Sequence, residues 1–133
     1  MIFIDASIPR TVADELKKVR EDIIFKHDIF LPGTDDSIWL RRVGIEAWLA
    51  ITHDKHIRTR QGERNAIMTH DVGCFILTYK QDLKKPEIVR IVFDNLAEME
   101  QKFETTPRPF IYTVSKNGHF REYAQRRLGS SPS

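Results

Sequence analysis

The chain has 133 residues, 41% hydrophobic and 30% charged, with a net charge of +2, the balance of one folded domain that buries roughly 65–70% of its unfolded surface. That composition excludes intrinsic disorder and argues against a membrane span. The single Cys74 excludes an internal disulfide and, inside the apolar stretch Val72 to Leu77, reads as a small core hydrophobe.

Met1-Ile2-Phe3-Ile4-Asp5 begins a strand without a basic, apolar, cleavable leader, so a cytoplasmic location is expected. Ile2 to Ile4 is the strand, and it stops on Asp5. Pro9 breaks extended structure, Thr11 can cap, and Val12, Leu16 and Val19 fall on one face of a helix running to Arg20. Ile23 to Phe25 is a second apolar run, followed by His27 and Asp28, which read as surface residues. Pro32-Gly33-Thr34 turns, and Asp35 or Asp36 then caps a helix whose stripe is Ile38, Trp39 and Val43 and whose end is set by Gly44.

Trp48 to Ile51 is the third strand, and Asp54 follows it with a cluster of bases. Gln61 to His70 reads as a helix, Asp71-Val72-Gly73 as the turn out of it, and Phe75 to Leu77 as the fourth strand. Pro86 suits a first helical position. Ile88, Ile91, Val92, Leu96, Met99 and Phe103 then recur at three- and four-residue steps, which predicts a long helix over Glu87 to Glu104. Phe110 to Val114 is a fifth strand and Asn117-Gly118 a turn. Strands alternate with helices, so the fold class is α/β, a mainly parallel sheet with helices on both faces. Residues 1–128 are expected to form one domain, with 129–133 a loose tail.

Short apolar strands that end on a carboxylate suggest where chemistry sits, because open α/β sheets bind ligands at the carboxyl ends of their strands. Asp5 and Asp54 occupy such ends, and Asp36 opens a helix on the same rim. If strands one and three are neighbours, their ends lie about 5 Å apart. Carboxylates that close repel unless a cation lies between them, and hard oxygen donors suit Mg²⁺ or Mn²⁺. Asp5, Asp36 and Asp54 are therefore the candidate metal ligands. The base-rich stretch from His53 to Arg64 supplies counter-charge for a polyanion, with Arg58 and Arg60 suited to grip phosphates. Thr52 lies on the same side of the pleat as Asp54 and can bind a water or satisfy a neighbour. His53 and His56 stand three apart, but no cysteine or third suitably spaced histidine completes a zinc set. Asp71 is a possible fourth acid, better read as a turn residue.

Three blocks in fixed order resemble the signature blocks of small PIN-like domain proteins, with the VapC-type toxins as the nearest group. They are Phe3-Ile4-Asp5-Ala6-Ser7-Ile8-Pro9-Arg10, Thr34-Asp35-Asp36-Ser37-Ile38-Trp39-Leu40 and Thr52-His53-Asp54-Lys55-His56-Ile57-Arg58. The resemblance implies a three-layer α/β/α PIN-like fold and an endoribonuclease dependent on Mg²⁺ or Mn²⁺. It also implies RNA as substrate and, in toxin–antitoxin pairs, an antitoxin that covers the acidic site. By position, Asp5, Asp36 and Asp54 match the family's acids, and Lys55 lies in the block of the third, where it would neutralise charge near the scissile phosphate. Two departures stand out: His53 replaces a common arginine, and no carboxylate takes the place of a fourth acid.

Two other readings fit part of the pattern. A phospho-accepting receiver-like domain would use Asp54, Thr78 and Lys116, but Asp5 is followed by Ala6 and Ser7, not by the acid pair such a domain needs. A non-catalytic relative would bind RNA or protein through the basic segment. Apolar positions near Phe93 and Leu96 on the long helix suggest a possible homodimer face.

Overall fold

Parallel pairing of short apolar strands organises the chain. In a computed structural model, which describes residues 1–53, 61–80 and 82–125, the elements follow in the order β1 (Ile2–Ile4), α1 (Arg10–Lys17), β2 (Ile23–Phe25), α2 (Lys26–Ile29), α3 (Asp36–Ile45), β3 (Leu49–Thr52), α4 (Gln61–Thr69), β4 (Gly73–Leu77), α5 (Lys85–Thr105), β5 (Phe110–Val114) and β6 (Phe120–Gln125). The sheet order is β2-β1-β3-β4-β5-β6. Its first five strands are mutually parallel, and β6 pairs antiparallel with β5.

Both faces of the sheet are covered, which is why the strands read as unbroken apolar runs instead of alternating ones. Ile2, Ile4, Ile51, Phe75 and Phe110 face α1 and α5 in one core cluster. Phe3, Ala50, Cys74, Ile76 and Ile111 face α3 and α4 in the other. Successive strand residues alternate between the two clusters, as the pleat requires. The result is the expected α/β/α sandwich. In the second layer Phe3 stacks between Trp39 of α3 and Trp48, with ring centroids 5.5 and 6.1 Å away.

Register sets the functional rim. Ile4 pairs with Phe25 on one side and Ile51 on the other, so Asp5 leaves the sheet beside Lys26 and Thr52. Strands one and three are neighbours, which meets the condition for their ends to lie close together.

Several expectations are corrected. Gly44 lies inside the last turn of α3, not at its stop. Its hydrogen faces the His70 carbonyl so closely that a Cβ would collide with it. Glycine there permits the approach of α4's end to α3. The helix ends instead at Glu46, where Ala47 takes a left-handed φ of 54°. The Ala47 and Trp48 amides donate to the Gly44 and Val43 carbonyls, the paired bonds of a Schellman motif. Ile38 is exposed, and Leu40 completes the buried stripe with Trp39 and Val43. Val19 lies beyond the end of α1 and is exposed. Leu96 is buried against the sheet, so it offers no dimer face, while Phe93 is 38% exposed. The strand β6 was not anticipated.

Candidate functional site

Asp5 is the centre of the parallel rim. Among the described residues it is the one buried charged residue, 6% exposed, and its carboxylate oxygens are treated differently. Oδ2 accepts the Ser7 hydroxyl at 2.7 Å and the Thr52 hydroxyl at 2.8 Å. Oδ1 faces the Lys26 ammonium at 3.6 Å. Two hydroxyl protons fix the plane of the carboxylate, and its other edge is left toward positive charge. Ser7 in turn accepts the His53 amide at 2.9 Å, which ties the first acidic block to the end of β3. The role of Ser7 was not anticipated; it lies in the turn after β1, where a hydroxyl two residues beyond an aspartate can bond back to it.

Asp36 belongs to the same arrangement through Trp39. Asp35, not Asp36, caps α3, its carboxylate taking the Ser37 hydroxyl and amide and held below the usual aspartate range by them. Asp36 is thereby free of capping, and its Oδ1 accepts the Trp39 indole N–H at 2.8 Å. The face of the same indole carries the Lys26 ammonium, 4.7 Å from the ring centroid. Asp5, Lys26, Trp39 and Asp36 therefore form one linked series.

Thr52 is buried and gives its proton to Asp5. His53 stacks on Tyr79 at 3.6 Å between ring centroids, and its Nε2–H donates to the Tyr79 carbonyl at 2.8 Å. Burial pushes the Tyr79 phenol up to about 12. Asp54, Lys55, Arg58 and Arg60, together with His56, lie outside the described residues. Among the described residues no group of three or more His, Cys, Asp or Glu side chains could hold a metal ion. Asp5 and Asp36 are the two candidate ligands within that set. Their carboxylate oxygens are hard donors, the type that Mg²⁺ or Mn²⁺ takes.

The remaining candidates separate cleanly. Asp71 precedes β4 at the opposite end of the sheet, with φ 61° and its carbonyl taken by Arg108. Asp28 turns away to Lys17 at 2.6 Å and Arg10 at 3.0 Å and accepts the Phe25 amide at 3.0 Å. Burial works to raise its carboxyl, but those three donors together hold it below the usual range. Arg64 donates to the Tyr123 hydroxyl of β6 at 2.9 Å. Past the ends of β4 and β5 the rim opens into a cavity of about 490 Å³, whose lining includes Thr78, Lys80, Lys84, Ser115, Lys116 and Asn117, with Asp82 and Glu87 also on its wall.

The strand order 2-1-3-4-5 is one that flavodoxin-like and receiver folds also use, so topology alone does not separate the readings. A family model described as a PIN like domain matches residues 1–79, from β1 past the end of β4. The chain belongs to the PIN-like domain family. No curated protein and no solved structure matches it. PIN-like domains are generally nucleases and usually use divalent metals. The matched span contains Asp5, Asp36 and the block that begins at Thr52, and β5 and β6 lie beyond it. Among the described residues, no helix of this PIN-like chain is long and apolar enough to cross a membrane.

Proposed function

We propose that this PIN-like domain is an endoribonuclease dependent on Mg²⁺ or Mn²⁺ and the toxin member of a VapC-type toxin–antitoxin pair. The observation that carries the reading is Asp5: a buried carboxylate at the parallel rim, with one oxygen fixed by Ser7 and Thr52 and the other turned toward a cation. The Ser7 and Thr52 hydroxyls hold one oxygen in place, and the lone pairs of the other are available to a further partner. Asp36 and Asp54 would complete the ligand set. A divalent ion held there supplies Lewis acidity toward the phosphodiester and a more acidic water as nucleophile.

The chain's own groups do the rest. Ser7 and Thr52 hold the Asp5 carboxylate in one orientation, which spares the site that reorganisation during reaction. Trp39 fixes Asp36 through its N–H. Lys55, Arg58 and Arg60 would counter the charge of the RNA backbone, and the cavity at Lys80, Lys84 and Lys116 offers that backbone a continuation along the rim. An antitoxin of acidic character would compete for the same cations.

Asp5→Asn and Asp54→Asn should each lower Mn²⁺-stimulated cleavage of RNA by at least about 100-fold. Asparagine at position 5 keeps an oxygen for the Ser7 and Thr52 hydroxyls but leaves the enclosed Lys26 ammonium without its carboxylate, so the thermal transition should fall, and cleavage is compared per folded molecule. Cleavage at the wild-type rate in either variant removes the assignment.

A further inference from the structure

We propose that Lys26 is the built-in cation of this site: its ammonium holds the Oδ1 edge of Asp5 and competes with the divalent ion for that carboxylate. The inference rests on the reading of Asp5 as a metal ligand. Lys26 is the residue after β2, and the register that pairs Phe25 with Ile4 brings it level with Asp5. Its side chain is only 13% exposed. A lysine so enclosed must recover the hydration it gives up, and among the described residues the carboxylate beside it is that of Asp5.

The geometry of that recovery is unusual. The separation of 3.6 Å is well beyond the 2.7–2.9 Å or so of a charge-assisted hydrogen bond. The ammonium is kept in place by the field of the carboxylate and by the Trp39 ring face below it. No short bond has to break for it to withdraw, and a lysine stem has the freedom to do so. A divalent ion on Oδ1 would lie a few ångströms from this positive charge in a partly buried setting, where Coulomb repulsion is weakly screened. Lys26 therefore lowers the affinity of the free site for metal and keeps Asp5 neutralised in the ion's absence. It also explains how a carboxylate can remain folded into this rim without metal.

The test is a Mn²⁺ titration by calorimetry on the full-length protein. Lys26→Met removes the charge and keeps the stem's bulk, and it should bind Mn²⁺ about tenfold tighter or more than the wild type. Lys26→Arg keeps the charge and should stay within about twofold of the wild type. Wild-type binding with equal or weaker binding by Lys26→Met overturns the role of Lys26 and leaves the metal reading standing. Absence of Mn²⁺ binding in both overturns the metal reading and this proposal with it. A second measurement does not depend on a variant that folds. In the wild type, the Lys26 ammonium lies 4.7 Å from the Trp39 ring centroid, so the adjoining ε-methylene protons should resonate upfield, and Mg²⁺ should move them toward their ordinary position. An upfield shift that persists at Mg²⁺ saturation overturns the displacement.

Discussion

The two rims of the parallel sheet are built from the same residue types and use them in opposite ways. At the amino-terminal rim two arginines are answered by several acceptors each. Arg20 lays its guanidinium across Asp22, at 2.8 and 2.9 Å, and Glu100, at 2.9 and 3.1 Å, which fastens the start of β2 to α5. Arg108 donates to the Gly44 and Asp71 carbonyls at 3.1 Å each, closing the ends of α3 and of the turn into β4. At the carboxyl-terminal rim, Asp5 has one edge held and one edge facing an ammonium it does not touch, and three lysines line a cavity. One rim closes the domain, and on the proposed function the other keeps charge in reserve for a ligand. The difference predicts that substitutions at the first rim cost stability with cleavage per folded molecule unchanged, and that those at the second lower cleavage beyond any loss of stability.

The largest effect at the closing rim should come from Gly44→Ala. A methyl group there runs into the His70 carbonyl, a backbone atom that cannot turn aside. Either α3 and α4 separate or the turn through Asp71 shifts, and such overpacking costs about 2–3 kcal/mol. Urea unfolding should show that loss, while RNA cleavage per folded molecule stays at the wild-type value. A Gly44→Ala protein as stable as the parent would mean that this rim is looser than its contacts imply.

Arg20→Met should cost about 1–2 kcal/mol at neutral pH, because it removes two forked pairs at a partly exposed place. Here pH sharpens the comparison. The hydrogen bonds from Arg20 hold the Asp22 carboxyl below its ordinary value. A depressed carboxyl contributes stability that is fully present above the unfolded-state value of about 3.9 and is lost as pH falls through the lower folded-state value. The gap between wild type and Arg20→Met should therefore be constant from pH 7 to about 5 and shrink below about 4. A gap that is unchanged at pH 3 would show that Arg20 acts through packing of its stem and not through Asp22.

Why the sequence disclosed one rim better than the other follows from its signals. The apolar runs Ile2 to Ile4, Leu49 to Thr52 and Gly73 to Leu77 are doubly buried and therefore unmistakable, and the carboxylate after β1 is legible as a strand end. Residue order alone could not distinguish Lys26 from a surface lysine, because its burial depends on Trp39, thirteen positions further on in another helix. Gly44 looked like a helix stop because glycine is favoured there. The true reason for it is His70, which no local pattern reveals. The strand β6 was hidden by its edge position and by the bulge between Ile111 and Tyr112, which breaks the alternation that would have marked it. Asp36 and Asp35 were interchangeable as caps in the sequence, and the Trp39 indole decides between them.

The smallest prediction has the opposite sign. Ala47 occupies the position after the α3 cap in a left-handed conformation, φ 54°, and its side chain is exposed. An alanine there carries a steric cost of about 1–2 kcal/mol that glycine does not. Glycine also enlarges the freedom of the unfolded chain, which takes back about 0.4–1 kcal/mol. The two bonds of the motif, from the Ala47 and Trp48 amides, are backbone bonds that survive the change. Ala47→Gly should therefore raise stability by about 0.5–1 kcal/mol, measured by urea midpoint. Because Ala47 lies at the closing rim, that gain should leave Mn²⁺-stimulated cleavage where it was. A stabilised protein with altered cleavage would mean that strain at one end of β3 is felt at Thr52 on the other, and that the two rims are not independent.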